Sequence, residues 1–160
     1  MYEYVFQVFK SEPDKSDWMS AEMFDECPDF LPIADSVKET ADRREAIVCL
    51  GRWLTENRLG TISGDVFTIN TQAAERYFEG RFAAFQQALT ALQTLHETQF
   101  IHEHDKVQTL IDDLGTAFSG KQDTHVLLEN SFPAIPMDEF IRKAQPNPPY
   151  YIGAVLYFHW

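Results

Sequence analysis

From Asn70 to His96 the chain reads NTQAAERYFEGRFAAFQQALTALQTLH, and Phe78, Phe82, Phe85, Leu89 and Leu92 recur at intervals of four, three, four and three. That period lines them along one face of an α-helix, expected over 71–96. Ala74, Ala84, Ala88 and Ala91 flank the stripe and allow neighbouring backbones to approach, while Glu75, Arg76, Glu79, Gln86, Gln87 and Gln93 form a polar face. Asn70 or Thr71 supplies the cap. At about 1.5–3 kcal/mol per buried large side chain, the stripe is expected to belong to the core.

The amino terminus alternates instead. Tyr2, Tyr4, Phe6 and Val8 fall on one side and Glu3, Val5, Gln7 and Phe9 on the other, a strand with apolar groups on both faces and so an interior position. SDWMSAEMFDE predicts one or two helical turns, capped by Ser16 or Ser20 and broken by Pro28 and Pro32. Ser36 and Glu39 have capping-box spacing, which predicts a helix over about 37–58 that is apolar nearly all round through AIVCLGRWL and is stopped by Gly60. GTISGDVFTI predicts a hairpin turning at Ser63-Gly64. After HETQFIHEHDK, Val107, Leu110, Ile111, Leu114 and Phe118 mark a second amphipathic helix, 105–118, ended by Gly120. THVLLE reads as a strand, MDEFIRKA as a short helix and, beyond PNPP, YYIGAVLYFHW as a closing strand.

Strands at both ends and helices between them predict an α+β fold: one domain over 1–160, with an antiparallel-rich sheet that includes both terminal strands and helices packed on one face. A length of 160 residues with 44% hydrophobic and 14% aromatic content agrees with one folded domain. No run has the length of a membrane helix and no secretory leader precedes the first strand, so a cytoplasmic protein is expected; Cys27 and Cys49 are then reduced thiols, a single bridge between them being the alternative.

Charge changes the picture more. The net charge is −12, and ten acids against two bases between Ser11 and Asp42 carry −8 of it. Such a field disfavours nucleic acid and anionic membranes and favours a basic protein partner. Within this stretch Asp17, Trp18, Met23, Phe24, Asp25, Glu26 and Asp29 mix carboxylates with aromatic and Met side chains, the chemistry of an anchor for a basic partner with an apolar cleft. The competing account has the apolar groups covering the sheet while the acids face water.

His96, Glu97, His102, His104 and Asp105, with Glu103 among them, are the densest run of metal-ligating residue types. Imidazole and carboxylate suit zinc or another divalent ion. In an extended stretch His102 and His104 project to the same side. In a continuous helix Glu97 and His104 share one face, and His102 and Asp105 another. Neither cysteine sits in a nucleophile signature, no GxSxG elbow is present, and Gly51, Gly60, Gly64 and Gly80 are too isolated to cradle a phosphate. Arg43, Arg44, Arg52 and Arg58 precede or border the hairpin as a winged helix would require, but they do not share a helical face and the overall charge has the wrong sign.

Three functional readings follow. The leading one is a non-enzymatic interaction or accessory protein acting through an acidic surface on a basic protein, with no cofactor. The second is a small metal-dependent enzyme built on the 96–105 cluster. The third is a DNA mimic or DNA-associated accessory protein. Self-association through the aromatic carboxyl-terminal segment is the alternative role for those residues if they do not form a strand.

Overall fold

In the computed structural model, which describes residues 2–27, 29, 31–120, 124–129, 131–145 and 148–159, the two terminal segments are neighbouring strands. β1 (Tyr2–Phe9) runs antiparallel to a long final strand, Tyr150–His159, which is the last of seven and is called β7. On its other side β1 pairs in parallel with β5 (Thr124–Leu128), and β5 pairs with the short β6 (Ile135–Pro136). The hairpin of β3 (Gly60–Ser63) and β4 (Val66–Ile69) joins β7 through β4, and β2 (Ser36–Glu39) pairs with another part of β7. The order is β3-β4-β7-β1-β5-β6, with β1–β5 the one parallel pair among the described strands. This is the expected α+β architecture, with both terminal strands in a mostly antiparallel sheet.

Backbone contacts divide the chain into two compact units, Met1–Ala74 with Lys121–Trp160, and Glu75–Gly120. In the first, alternation along the strands gives the sheet two apolar faces. One face carries Val5, Leu127, Leu156 and Phe158, and is covered by Met19 and Leu31 with Trp18, Met23 and Phe24 half-buried beside them. The other carries Phe6, Val8, Val126 and Ile152. On it lie α2 (Arg43–Glu56), which buries Ala46, Ile47, Leu50 and Leu54, and α6 (Met137–Lys143), whose Phe140 ring meets Tyr150 at 5.1 Å. The helical turns expected in 17–26 are a 3-10 turn, Lys15–Asp17, and α1 (Glu22–Glu26). Of the expected breaks, Pro28 and Pro146 lie outside the described residues, as does Phe30.

The helix expected from residue 37 starts later. Residues 36–39 are β2, with Val37 opposite Phe158, because the open edge of β7 offers them a ladder. The cap is Asp42, whose Oδ1 accepts from the Glu45 N–H at 2.9 Å, the same four-residue spacing repeated further on. Nor does Gly60 stop the helix. Arg58 takes the left-handed conformation (φ 57°), the Leu59 N–H donates to the Leu54 carbonyl at 2.8 Å and that of Arg58 to Thr55 at 3.0 Å, a Schellman ending with buried Leu59 as its apolar clasp. Gly60 serves close packing instead: a Cβ there would sit 1.9 Å from the Thr68 carbonyl oxygen. Although AIVCLGRWL is apolar nearly all round, the helix is one-sided, since Val48 and Cys49 are exposed.

The second unit is helical. It holds most of α3 (Thr71–Gln93), then α4 (Glu97–His102) and α5 (His104–Ser119). Asn70 caps α3 through its Oδ1, which accepts from Ala73 at 3.2 Å. Ala84, Ala88 and Ala91 of α3 line a groove with Leu110, Thr116 and Ala117 of α5, so the two helices run antiparallel through small residues. Arg81 fastens the far end, donating to the carbonyls of Ala117 (2.8 Å) and Phe118 (2.6 Å). The aromatic stripe of α3 is not the core it was expected to be. Ala88 is buried, Phe78, Phe85, Leu89 and Leu92 are half-buried, and Phe82 is 62% exposed.

Candidate functional site

Segment 17–35 is held on the sheet by Gln7, a fully buried amide. Its Oε1 accepts from the Met19 N–H at 2.9 Å and its Nε2 donates to the Asp17 carbonyl at 3.0 Å. Further along, the Ala21 N–H donates to Glu39 Oε1 at 2.8 Å. These bonds turn Met19 inward and set Trp18, Met23 and Phe24 against the core, while Asp17, Asp25, Glu26 and Asp29 stay exposed. Acids and apolar groups are therefore sorted to opposite sides, and Trp18 lies under the Arg43 guanidinium, 4.6 Å from its ring centroid. Cys27 is half-buried and Cys49 exposed, both as free thiols.

The expected metal ligands are dispersed. His96 precedes α4, Glu97 opens it and His102 closes it, and His104 and Asp105 begin α5. Glu103 breaks the chain between the two helices (φ −117°, ψ 55°), so the stretch is neither extended nor one helix. Glu103 itself pairs with Lys106 at 3.1 Å. Among the described residues no three His, Cys, Asp or Glu side chains gather closely enough to hold an ion.

Among the described residues the sheet unit bears clefts of two kinds. One, of about 640 Å³, is lined by Leu31, Ile33, Leu128, Phe132, Pro133 and Ile135, with buried His125, Ser131 and the Glu139–Lys143 pair among its polar members. The other, of about 760 Å³, is polar: Thr55, Arg58, Thr61, Thr68, Asn70 and Gln72 surround it. The first can take apolar groups and the second hydrogen-bonding ones.

The helical unit offers a different kind of surface. Large apolar side chains that remain exposed among the described residues are Ile33, Val48, Phe82, Phe100, Ile101, Ile111, Phe118 and Phe132, and five of these eight fall within 75–120. Phe82, Phe85 and Leu89 (i, i+3, i+7) form one ridge on α3, and Ile111, Leu114 and Phe118 repeat the same spacing on α5. Phe85 and Phe118 join the ridges, their ring centroids 6.4 Å apart. Phe82 and Phe118 are 62% and 69% exposed, so neither is packed as core. The periodic signal that predicted a buried stripe was the signal of this face, since periodicity places residues on one side of a helix without stating what covers it.

Among the described residues no helix is long and apolar enough to cross a membrane. No protein-family model, curated protein or solved structure matches the chain.

Proposed function

We propose that this chain is a non-enzymatic interaction or accessory protein for a basic protein partner, with the apolar face of its helical unit, rather than segment 17–35, as the contact. The observation that carries this reading is the exposure of Phe82 and Phe118 on adjoining ridges. Large contiguous apolar surface is uncommon on chains that act alone and marks sites of association. The net charge of −12 supports the basic character of the partner, because opposite charge speeds encounter and excludes acidic competitors. Trp18 and Phe24 do not suit the role of free anchors, since both already pack on the sheet.

The test is comparative capture from native cells with the wild-type chain and the double variant Phe82→Ser/Phe118→Ser. A basic protein retained by the first and lost by the second, with circular dichroism unchanged, is the expected result. Equal retention by both would remove the helical face from the account.

A further inference from the structure

Resting on that reading, we infer that the occupant of the face is one basic amphipathic α-helix, which lies along the Phe82 and Phe118 ridges, over the Phe85–Phe118 contact, and completes a three-helix bundle. Two antiparallel helices with an uncovered apolar side have a seat for a third, and apolar residues at i, i+3 and i+7 are the pattern such an insert must match. From Phe78 to Leu92 the α3 ridge runs for about 21 Å at the helical rise, which accommodates about four turns of a partner.

Charge selects that occupant over a second copy of this chain. Residues 75–120 carry seven acids and three bases. Two of those bases are engaged locally: Arg81 donates to the end of α5, and Lys106 pairs with Glu103. Glu75 and Glu79 precede Phe82 by seven and three residues, and so run along its outer flank. An apolar strip edged by carboxylates complements a helix whose apolar stripe is edged by Lys and Arg. Self-pairing would set like-charged rims against one another, which disfavours association.

The experiment titrates the full chain into a labelled peptide of about 18 residues with Leu at helical spacing and Lys on both flanks, followed by fluorescence anisotropy. Two controls are its twin with Glu flanks and a scrambled peptide of the same composition. Saturable binding of the basic peptide is expected, weakened at least about tenfold in either control and in the Phe82→Ser/Phe118→Ser variant. Raising salt from 50 to 150 mM is expected to weaken it further, because exposed charges are screened over about 8 Å at the higher strength. Sedimentation of the chain alone is expected to give a monomer. A dimer dissociated by the double substitution would overturn the helix as occupant while keeping the face as a contact surface. Basic and scrambled peptides that bind equally, undiminished by the substitution, would overturn the face itself and the functional reading with it.

Discussion

Arg43 donates from Nε to the carbonyl oxygen of Gly153 across 2.9 Å, closing a gap in the edge of β7. β2 pairs with residues 156–159 of that strand and β4 with 150–151, leaving 152–155 between them. There β7 bulges, advancing three residues from Ile152 to Val155 while β1 advances two from Val8 to Phe6. Arg43 fills the opening. A second nitrogen, Nη2, donates to the Ile152 carbonyl at 2.7 Å and reaches Asp65 at 3.0 Å, and the guanidinium lies over Trp18. One side chain thus ties α2, the β3–β4 turn, β7 and the 17–35 segment.

Removing it is expected to be costly. Arg43→Met keeps most of the stem but leaves two partly buried carbonyls without their charged donor, so a loss of about 2–4 kcal/mol is expected in urea denaturation. Arg43→Lys recovers only part, because one ammonium cannot reproduce the planar fork. An unchanged midpoint in Arg43→Met would show that the gap needs no filling.

The glycines divide by their surroundings. At Gly60 an added Cβ meets backbone, the Thr68 carbonyl oxygen at 1.9 Å, so Gly60→Ala must move a strand. Gly80 and Gly115 lie within α3 and α5 with nothing inside 4 Å. Gly80→Ala and Gly115→Ala are therefore expected to raise stability by about 0.5–1 kcal/mol each, through helix propensity alone, while Gly60→Ala lowers it by more than that. Thermal melts of the three variants separate these cases, and a stabilised Gly60→Ala would contradict the close approach of β3 and β4.

Phe67 and Phe82 are expected to behave as opposites. Phe67 is wholly buried, between the Phe140 and Tyr150 rings at 6.1 and 5.4 Å, so Phe67→Ala is expected to cost about 3–5 kcal/mol. Phe82→Ala on the exposed ridge is expected to cost less than about 1 kcal/mol. Equal losses in denaturant would mean that the α3 stripe is core after all.

Acid stability has a local handle in Asp35. The hydrogen bond from His159 Nδ1, 3.0 Å from the carboxylate, holds the Asp35 carboxyl below its ordinary range. The native state therefore binds this proton less readily than the unfolded chain does. The contribution is fully present above the unfolded carboxyl pKa of about 4 and is lost as pH falls through the lowered native value. Asp35→Asn is expected to flatten the fall of the urea midpoint below pH 4 and to leave its shape between pH 5 and 6 unchanged. An acid limb identical to wild type would remove Asp35 from it.

Elements whose pattern has one interpretation were legible in the sequence. Alternation marked β1, the aromatic β-prone run marked β7, and the turn at Gly64 (φ 59°) marked the hairpin. SVKE was not, since a Ser and a Glu three apart fit either a capping box or a strand, and the free edge of β7, a tertiary feature, decided between them. Nor was the exposure of Phe82, Ile111 and Phe118, because a helical stripe looks the same whether sheet, partner or water lies over it. The 96–105 run is divided by the break at Glu103 between two helices, and among the described residues no three of its ligand types gather. In 17–35, only the bonds to Gln7 show which way Met19 and Trp18 turn.

Where a basic amphipathic helix protects the backbone decides whether the apolar face of α3 and α5 is its seat. Amide hydrogen exchange of the full chain, with and without the Lys-flanked peptide, is expected to slow within residues 78–93 and 107–118 and to leave 17–35 unchanged. Protection centred on 17–35, or absent from both helices at saturating peptide, would contradict it.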